Sequence, residues 1–432
     1  LNVGCVPSKG ILRSAKFVGE LARAGDLGMV VAGVQPDFAK VMQRVRRLRA
    51  EISPNDSVER FSKLGVDVYL GQGKFVSPTE LEVDGRRLRF SKAIIATGAR
   101  AHVPAVAGLS EARPLTNENV FNLTELPGRL AVLGGGPIGA ELSQAFARLG
   151  STVTLVEKGK RILPREEEDA ALIVQRSLER SGVNVWTESS LQSVDGAGHE
   201  KRLTIDQGGK QTNLVVDAIL IGAGRVPNVE GLGLEDAGVT YTRDGVIVDD
   251  FLRTSNRRVF AAGDIASKYK FTHAADALAR IAIRNALFLG RSRASKLLVP
   301  WCTYTDPELA HVGLSPTEAD QAGRKIRTFE QRLEDLDRAI LDGETDGFIR
   351  IHTDANSDQI VGATIVARHA GDLIGEITLA MKAKVGLGKI ASVIHPYPTQ
   401  AEGIRRLGDA FNRTRLTPLV AKLFRGWLAW NR

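Results

Sequence analysis

RLAVLGGGPIGAELSQAFARLGSTVTLVE, residues 129–157, decides the fold. RLAVL is an apolar run of strand type, and it ends in glycines at 134, 136 and 139, with Pro137 and Ile138 between the last two. Helical periodicity follows from about Ala140 to Leu149, and STVTLVE then returns as a second strand. An acid, Glu157, stands 18 positions past Gly139. Strand, glycine turn, helix, strand and acid at this spacing is the pattern of a dinucleotide-binding βαβ unit. The glycines allow a tight turn and let a pyrophosphate approach the helix N-terminus, whose free amides and dipole favour an anion. Glu157 would accept from a ribose 2′-hydroxyl and repel a 2′-phosphate, which favours NADH. Lys158, Lys160 and Arg161 are placed to receive the phosphate of NADPH instead.

Working outward, residues 182–225 read GVNVWTESSLQSVDGAGHEKRLTIDQGGKQTNLVVDAILIGAGR, and residues 65–100 read GVDVYLGQGKFVSPTELEVDGRRLRFSKAIIATGAR. The two stretches match at GVDV/GVNV, at KAII/DAIL and at GAR/AGR, which implies two copies of one nucleotide-binding plan. The first copy lacks its glycine turn, since residues 1–64 contain no GxGxxG. The chain is therefore expected to be a fragment whose first strand, turn and helix lie upstream of Leu1, holding FAD weakly and inactive by itself.

Composition bounds the alternatives. The 432 residues are 43% apolar and 25% charged, enough for two to four domains with substantial cores. No run approaches the roughly 20 apolar residues of a membrane span. Two cysteines, Cys5 and Cys302, exclude a disulfide scaffold and point to a reducing compartment, the cytoplasm. The excess of 58 basic over 50 acidic residues is scattered. RVRRLR at 44–49 reads as the solvated face of a helix without interleaved aromatics, so no nucleic-acid partner is expected. LFRGWLAWNR at 423–432 sets Phe424, Trp427 and Trp430 among arginines, a pattern that suits a membrane surface or a partner subunit.

Cys5 lies near a helix start and four residues before Lys9. It is either a small packed residue or a thiol whose reactive thiolate is favoured by the helix dipole and the nearby cation.

Six motifs, GCVPSK (4–9), IIATGA (94–99), GGGPIGAE (134–141), GAGRVPN (222–228), VFAAGD (259–264) and YTDPELAHVG (304–313), together resemble the pyridine nucleotide-disulfide oxidoreductases over essentially the whole chain. The resemblance implies an α/β fold with two Rossmann-like dinucleotide-binding domains, for FAD and NAD(P), and a C-terminal α+β dimerisation domain. The FAD domain would take residues 1–120 and 243–298, the nicotinamide domain 121–242, and the dimerisation domain 299–432. It also implies a homodimer, and FAD with NADH or NADPH as cofactors. Cys5 matches the flavin-facing cysteine of a CxxxxC pair whose first member would directly precede Leu1. Lys9 and Glu141 match an ion pair beside the flavin. Asp264 would bond the ribityl chain, Gly263 would let the backbone come close, and Gly73, Thr97 and Gly98 would line the same cofactor. Gly224 and Arg225 complete the cofactor-binding set.

HPYPTQAE at 395–402 discriminates within the family. Where lipoamide dehydrogenases carry a histidine base, this chain has Tyr397, with Glu402 five residues on and His395 two residues upstream. PYPTQAEG at 396–403 is similar to the mercuric reductase branch, in which this segment would complete the partner's active site. That branch also carries a vicinal cysteine pair near its C-terminus, and no cysteine follows Cys302 here, so no protein metal site is expected and Cys302 is expected to pack. The implied activity is NAD(P)H-dependent reduction of a small-molecule or metal-ion acceptor: another metal ion, a quinone or a small disulfide. The rivals are a dihydrolipoamide dehydrogenase and a non-catalytic nucleotide-binding or membrane-surface module.

Overall fold

The computed structural model describes residues 2–33, 35–196, 198, 200–288 and 290–431. Leu1 and Arg432, which bound the two terminal motifs, lie outside the described residues. Contacts divide the chain into two compact units, Leu1–Val18 with Gln35–Lys158 and Glu188–Val299, and Gly19–Val34 with Gly159–Thr187 and Pro300–Arg432. No helix among the described residues is long and apolar enough to cross a membrane.

Helix α1 (Cys5–Ala22), whose residues through Val18 belong to the first unit, opens at the thiol and buries Ile11, Leu12 and Ala15. Helix α2 (Phe38–Ile52) starts where the Asp37 carboxylate accepts from the Lys40 amide, and it buries Phe38, Met42 and Val45 at helical spacing. The basic run sits on α2 as expected, with Arg46 and Arg47 exposed. Arg44 turns inward to donate to the Gly10 carbonyl at 2.9 Å. The two glycine-bounded repeats are visible as two antiparallel meanders, Gly73–Ser77 to Arg86–Arg89 and Ser189–Asp195 to Lys210–Val216. After the first come strands β1 (Ala93–Ile95) and β2 (Ala99–Ala101).

The 129–157 stretch then forms β3 (Arg129–Leu133), α3 (Pro137–Arg148) and β4 (Thr152–Val156). The second meander is followed by β5 (Ala218–Ile221) and β6 (Arg225–Pro227). β3 lies between β5 and β4 in a parallel sheet, with Leu130 opposite Ala218 and Val153. Its buried run Leu130–Leu133 is continuous, as expected of a parallel strand covered on both faces. Strand β7 (Val259–Ala261) pairs in parallel with β1, and helix α4 (Thr272–Leu287) follows. β2 and β6, equivalent positions of the two repeats, pair with each other, Arg225 opposite Ala101.

Two expectations shift. α3 begins at Pro137 rather than Ala140, because the glycine turn itself winds into the first helical turn, where proline's fixed φ and missing amide cost nothing. GVDV at 65–68, matched to a strand in the second copy, is not a strand: Val66, Val68, Tyr69 and Leu70 are exposed and no described strand pairs alongside. Alternating apolar residues form a strand only when a ladder partner and a covered face are supplied.

The second unit is built on a five-stranded antiparallel sheet, made from β8 (Trp301–Thr303), β9 (Glu308–Gly313), β10 (Ile326–Arg332), β11 (Phe348–Asp354) and β12 (Ile360–Ala367) in the order β8-β9-β12-β11-β10. Every residue of β12 is buried. Helix α5 (Ala370–Lys382) packs on β9 and β12, α6 (Glu402–Arg413) packs on β10 and β11, and α7 (Pro418–Trp430) follows with no buried residue.

Candidate functional site

The turn after β3 is built so that only glycine fits at two positions. Gly134 has φ 105°, and a Cβ there would stand 2.8 Å from the Gly222 carbonyl carbon; a Cβ on Gly139 would stand 1.9 Å from the Gly134 oxygen. These contacts draw the helix tight against the sheet. At Gly136, the N-cap of α3, a Cβ would meet only the Gly222 oxygen at 3.9 Å, and no side chain caps the helix. The loop is thus closed behind and open in front, with Pro137 and Ile138 exposed beside it. Helix N-terminal amides facing an open glycine turn fit a dinucleotide pyrophosphate. Glu157, at the end of β4, reaches back so that its Oε2 accepts from the Gly135 amide at 2.6 Å, which puts the carboxylate on the rim of the same turn.

IIATGA and GAGRVPN, singled out separately in the sequence, are one structure. The Gly98 carbonyl accepts from the Asn228 amide, the Thr97 hydroxyl donates to the Asn228 carbonyl at 3.1 Å, and the Asn228 side chain donates to the Thr97 carbonyl at 2.9 Å. Gly98 and Gly224 both take positive φ to make the paired turns. Arg225 donates to the Ala99 carbonyl at 2.7 Å and forms an ion pair with Asp264 at 3.1 Å, while its buried Nε has no hydrogen-bond partner among the described residues. The residue assigned to the nicotinamide side therefore holds the carboxylate of the flavin motif VFAAGD.

That motif turns at Gly263, φ 81°, where a Cβ would meet the Ala275 methyl of α4 at 3.3 Å. The first residue of α4, Thr272, has its hydroxyl 3.3 Å from Cys5 Sγ. One helical turn thereby touches both the candidate redox thiol and the candidate flavin turn. Sequence reading missed Thr272; its only signal was its place at a helix start nine residues after Gly263. On α1, one turn past Cys5, Lys9 Nζ lies 2.9 Å from Glu141 Oε2 on α3. Gly73 begins a meander strand, and its would-be Cβ meets only Val83 at 3.9 Å, so nothing in its surroundings demands glycine.

The close-packed glycines, the open loop front and the buried unpartnered Arg225 nitrogen fit nucleotide cofactors in both motifs. Among the described residues no group of three or more His, Cys, Asp and Glu is arranged to hold a metal ion.

In the second unit, the Tyr397 hydroxyl of the HPYPTQAE segment donates to Asp337 Oδ2 at 2.7 Å. Glu402, in the first turn of α6, is buried and neutralised by Arg405 at 3.0 Å and Arg406 at 3.3 Å, one helical turn on, which leaves it committed within its own helix. The hydrogen bond to Asp337 and that carboxylate's charge push the Tyr397 phenol above its ordinary range and hold Asp337 below its own. His395 Nε2 lies 3.0 Å from Glu376 on α5, and its Nδ1 faces the Val393 carbonyl. Asp337 and Glu376 are partners that sequence reading did not name, because they lie 60 and 19 positions away from the residues they contact. Cys302 packs as expected beside Gly371, whose would-be Cβ lies 3.2 Å from its sulfur.

The family described as pyridine nucleotide-disulphide oxidoreductase matches residues 1–279, and its dimerisation domain matches residues 299–407. The chain is 32% identical over 407 residues to a mercuric reductase of Bacillus cereus, covering 94% of this chain and 64% of that protein. It is 34% identical over 412 residues to a dihydrolipoyl dehydrogenase of Chlamydia muridarum, covering 93% and 86%. Among solved structures it is similar to the HOCl-induced flavoprotein disulfide reductase RclA from Escherichia coli, with TM-score 0.83, 26% identity and coverage of 94% and 90%. It is likewise similar to LpdA from Mycobacterium tuberculosis, with TM-score 0.84, 28% identity and coverage of 94% and 90%.

Proposed function

Because the chain belongs to the pyridine nucleotide-disulphide oxidoreductase family, whose cofactors are FAD and NAD(P)H and which carries a dimerisation domain, we propose that it serves as an NAD(P)H-dependent reductase of thiol-reactive acceptors. In net terms, NAD(P)H, a disulfide and one proton give NAD(P)⁺ and two thiols, with Cys5 as one of the cysteines that relay the electron pair. The observation that carries this reading is the meeting of Cys5, the Lys9–Glu141 pair and the Gly263–Asp264 turn around α1 and the start of α4.

When bound, a flavin supplies two-electron chemistry that side chains lack. The chain's own residues hold and orient. The open Gly136 turn would take the nicotinamide pyrophosphate, Glu157 the adenosine ribose, and Asp264, steadied by Arg225, the ribityl chain. Lys9, one helical turn past Cys5, is held by Glu141 as its counter-ion.

The acceptor belongs to the mercuric reductase-like branch in our reading, with another metal ion, a quinone or a small disulfide as candidates. Tyr397, held to Asp337 with its phenol pushed up, stays protonated at neutral pH, so it orients a bound thiolate or metal complex and does not serve as a base. A dihydrolipoamide dehydrogenase needs a base there. The test is NADH and NADPH oxidation by FAD-loaded protein with lipoamide, Hg(II), a quinone and a small aromatic disulfide in parallel. Turnover with a metal or small disulfide and little with lipoamide is expected. Robust lipoamide turnover would overturn the branch assignment, and a protein that takes up no flavin would overturn the enzymatic reading in favour of a binding module.

A further inference from the structure

We propose that α7 docks the protein onto an anionic lipid surface, lying in the plane of the bilayer interface. At 100° per residue, its apolar side chains fall on one arc of about 180°, centred near Trp427, while Lys422 and Arg425 fall on the opposite face. Leu419, Leu423, Phe424, Trp427, Leu428 and Trp430 are each more than half exposed, and Trp430 reaches 83%. Among the described residues, no element of the chain covers them.

The helix is encoded locally, as an element that gains nothing from a core must be. The Thr417 hydroxyl accepts from the Val420 amide at 3.3 Å, and Pro418 occupies the first turn. Its 13 residues span about 20 Å, and its one-sided apolar face suits a helix lying in the plane of the interface.

Charge selects the occupant. From Ala410 to Arg432 there are five basic residues, Arg413, Arg415, Lys422, Arg425 and Arg432, and no acidic one. A second copy packed through the apolar face would leave Lys422 and Arg425, on the opposite face, without a counter-charge. A bilayer rich in anionic headgroups meets both features at once, taking the apolar face into the interface and the cations at its surface. The two tryptophans suit the interfacial depth.

The experiment mixes purified full chain with vesicles of phosphatidylcholine alone or of phosphatidylcholine with phosphatidylglycerol, read by cosedimentation and by quenching of tryptophan emission with brominated lipid. Binding about tenfold or more stronger to the anionic vesicles, weakened by salt, is expected. The doubly substituted Leu423→Glu, Trp427→Glu chain and the Lys422→Glu, Arg425→Glu chain should each lose it with their thermal melting unchanged, since all four positions are exposed. Absence of binding to either vesicle, or equal binding to both that the charge substitutions leave intact, overturns the proposal. So does a shift from dimer to monomer in the Leu423→Glu, Trp427→Glu chain without vesicle binding by the parent, which would assign α7 to a second copy.

Discussion

Lys9 Nζ lies 2.9 Å from Glu141 Oε2, joining the helix that begins at Cys5 to the helix that begins at the glycine turn. The Glu141 side chain is only 6% exposed and that of Lys9 is 37% exposed, so solvent screens one end of the pair but not the other. Glu141→Ala should therefore lower unfolding free energy by about 1–2 kcal/mol, discounted from a fully buried pair, and Glu141→Gln by less. Denaturant titration measures both. In our functional reading Glu141→Gln also slows flavin reduction by NAD(P)H, whereas a purely structural pair would leave that rate intact.

Gly139→Ala sets a Cβ 1.9 Å from backbone that cannot swing aside. The expected result is loss of more than about 2 kcal/mol of stability, with nicotinamide binding lost in whatever protein still folds. Gly136→Ala makes only an ordinary contact with the Gly222 oxygen at 3.9 Å and should keep the fold while weakening nucleotide binding. Thermal melts with and without NADH separate the two cases.

Glu157 accepts from the Gly135 amide, and in our functional reading its carboxylate takes a ribose hydroxyl. Glu157→Ala is expected to raise the KM for NADH about tenfold while sparing NADPH, which is loss of one charge-assisted hydrogen bond to the preferred nucleotide. Equal effects on both cofactors would count against NADH preference.

Tyr397 is exposed, so Tyr397→Phe should leave the melting temperature unchanged while lowering kcat with the physiological class of acceptor. Asp337→Asn should reproduce part of the loss by releasing the hydroxyl. A variant with unaltered turnover would remove Tyr397 from the mechanism.

Adjacent glutamates in the second unit titrate in opposite directions. Burial pushes Glu166 up to about 7, although the Trp301 indole donates to it at 2.7 Å. Glu167 is also opposed by burial, but hydrogen bonds from His352 and Thr364 and the charges of His352 and Arg350 outweigh it and hold it at about 2. An acid whose folded pKa is raised stabilises while protonated, so the Glu166 contribution falls as pH rises from about 4.5 to about 7. The Glu167 contribution is present above about 4.5 and is lost as pH falls toward 2. Melting temperature should thus decline from pH 5 to pH 7.5 in the parent, and Glu166→Gln should flatten that decline, by a difference of at most about 3 kcal/mol.

Local order was readable from sequence alone. The strand, glycine turn, helix and acid of residues 129–157 depend on near-neighbour sterics and periodicity, and they lie where the pattern places them. The repeat announced both meanders, and the ordered motifs announced the family. The failure falls where the deciding contact is remote: GVDV at 65–68 has strand alternation but no ladder partner among the described residues.

What the sequence determined by itself is therefore the set of elements and the chemistry they carry. Only the tertiary structure decided which carriers meet. It clasps Thr97 to Asn228, sets Arg225 on Asp264, brings Thr272 to Cys5 and hands the Tyr397 hydroxyl to Asp337. The physical reason is that periodicity and turn chemistry act within a few residues, whereas these pairings join positions from 39 to 267 apart, whose encounter depends on how the whole chain closes its loops and packs its sheets.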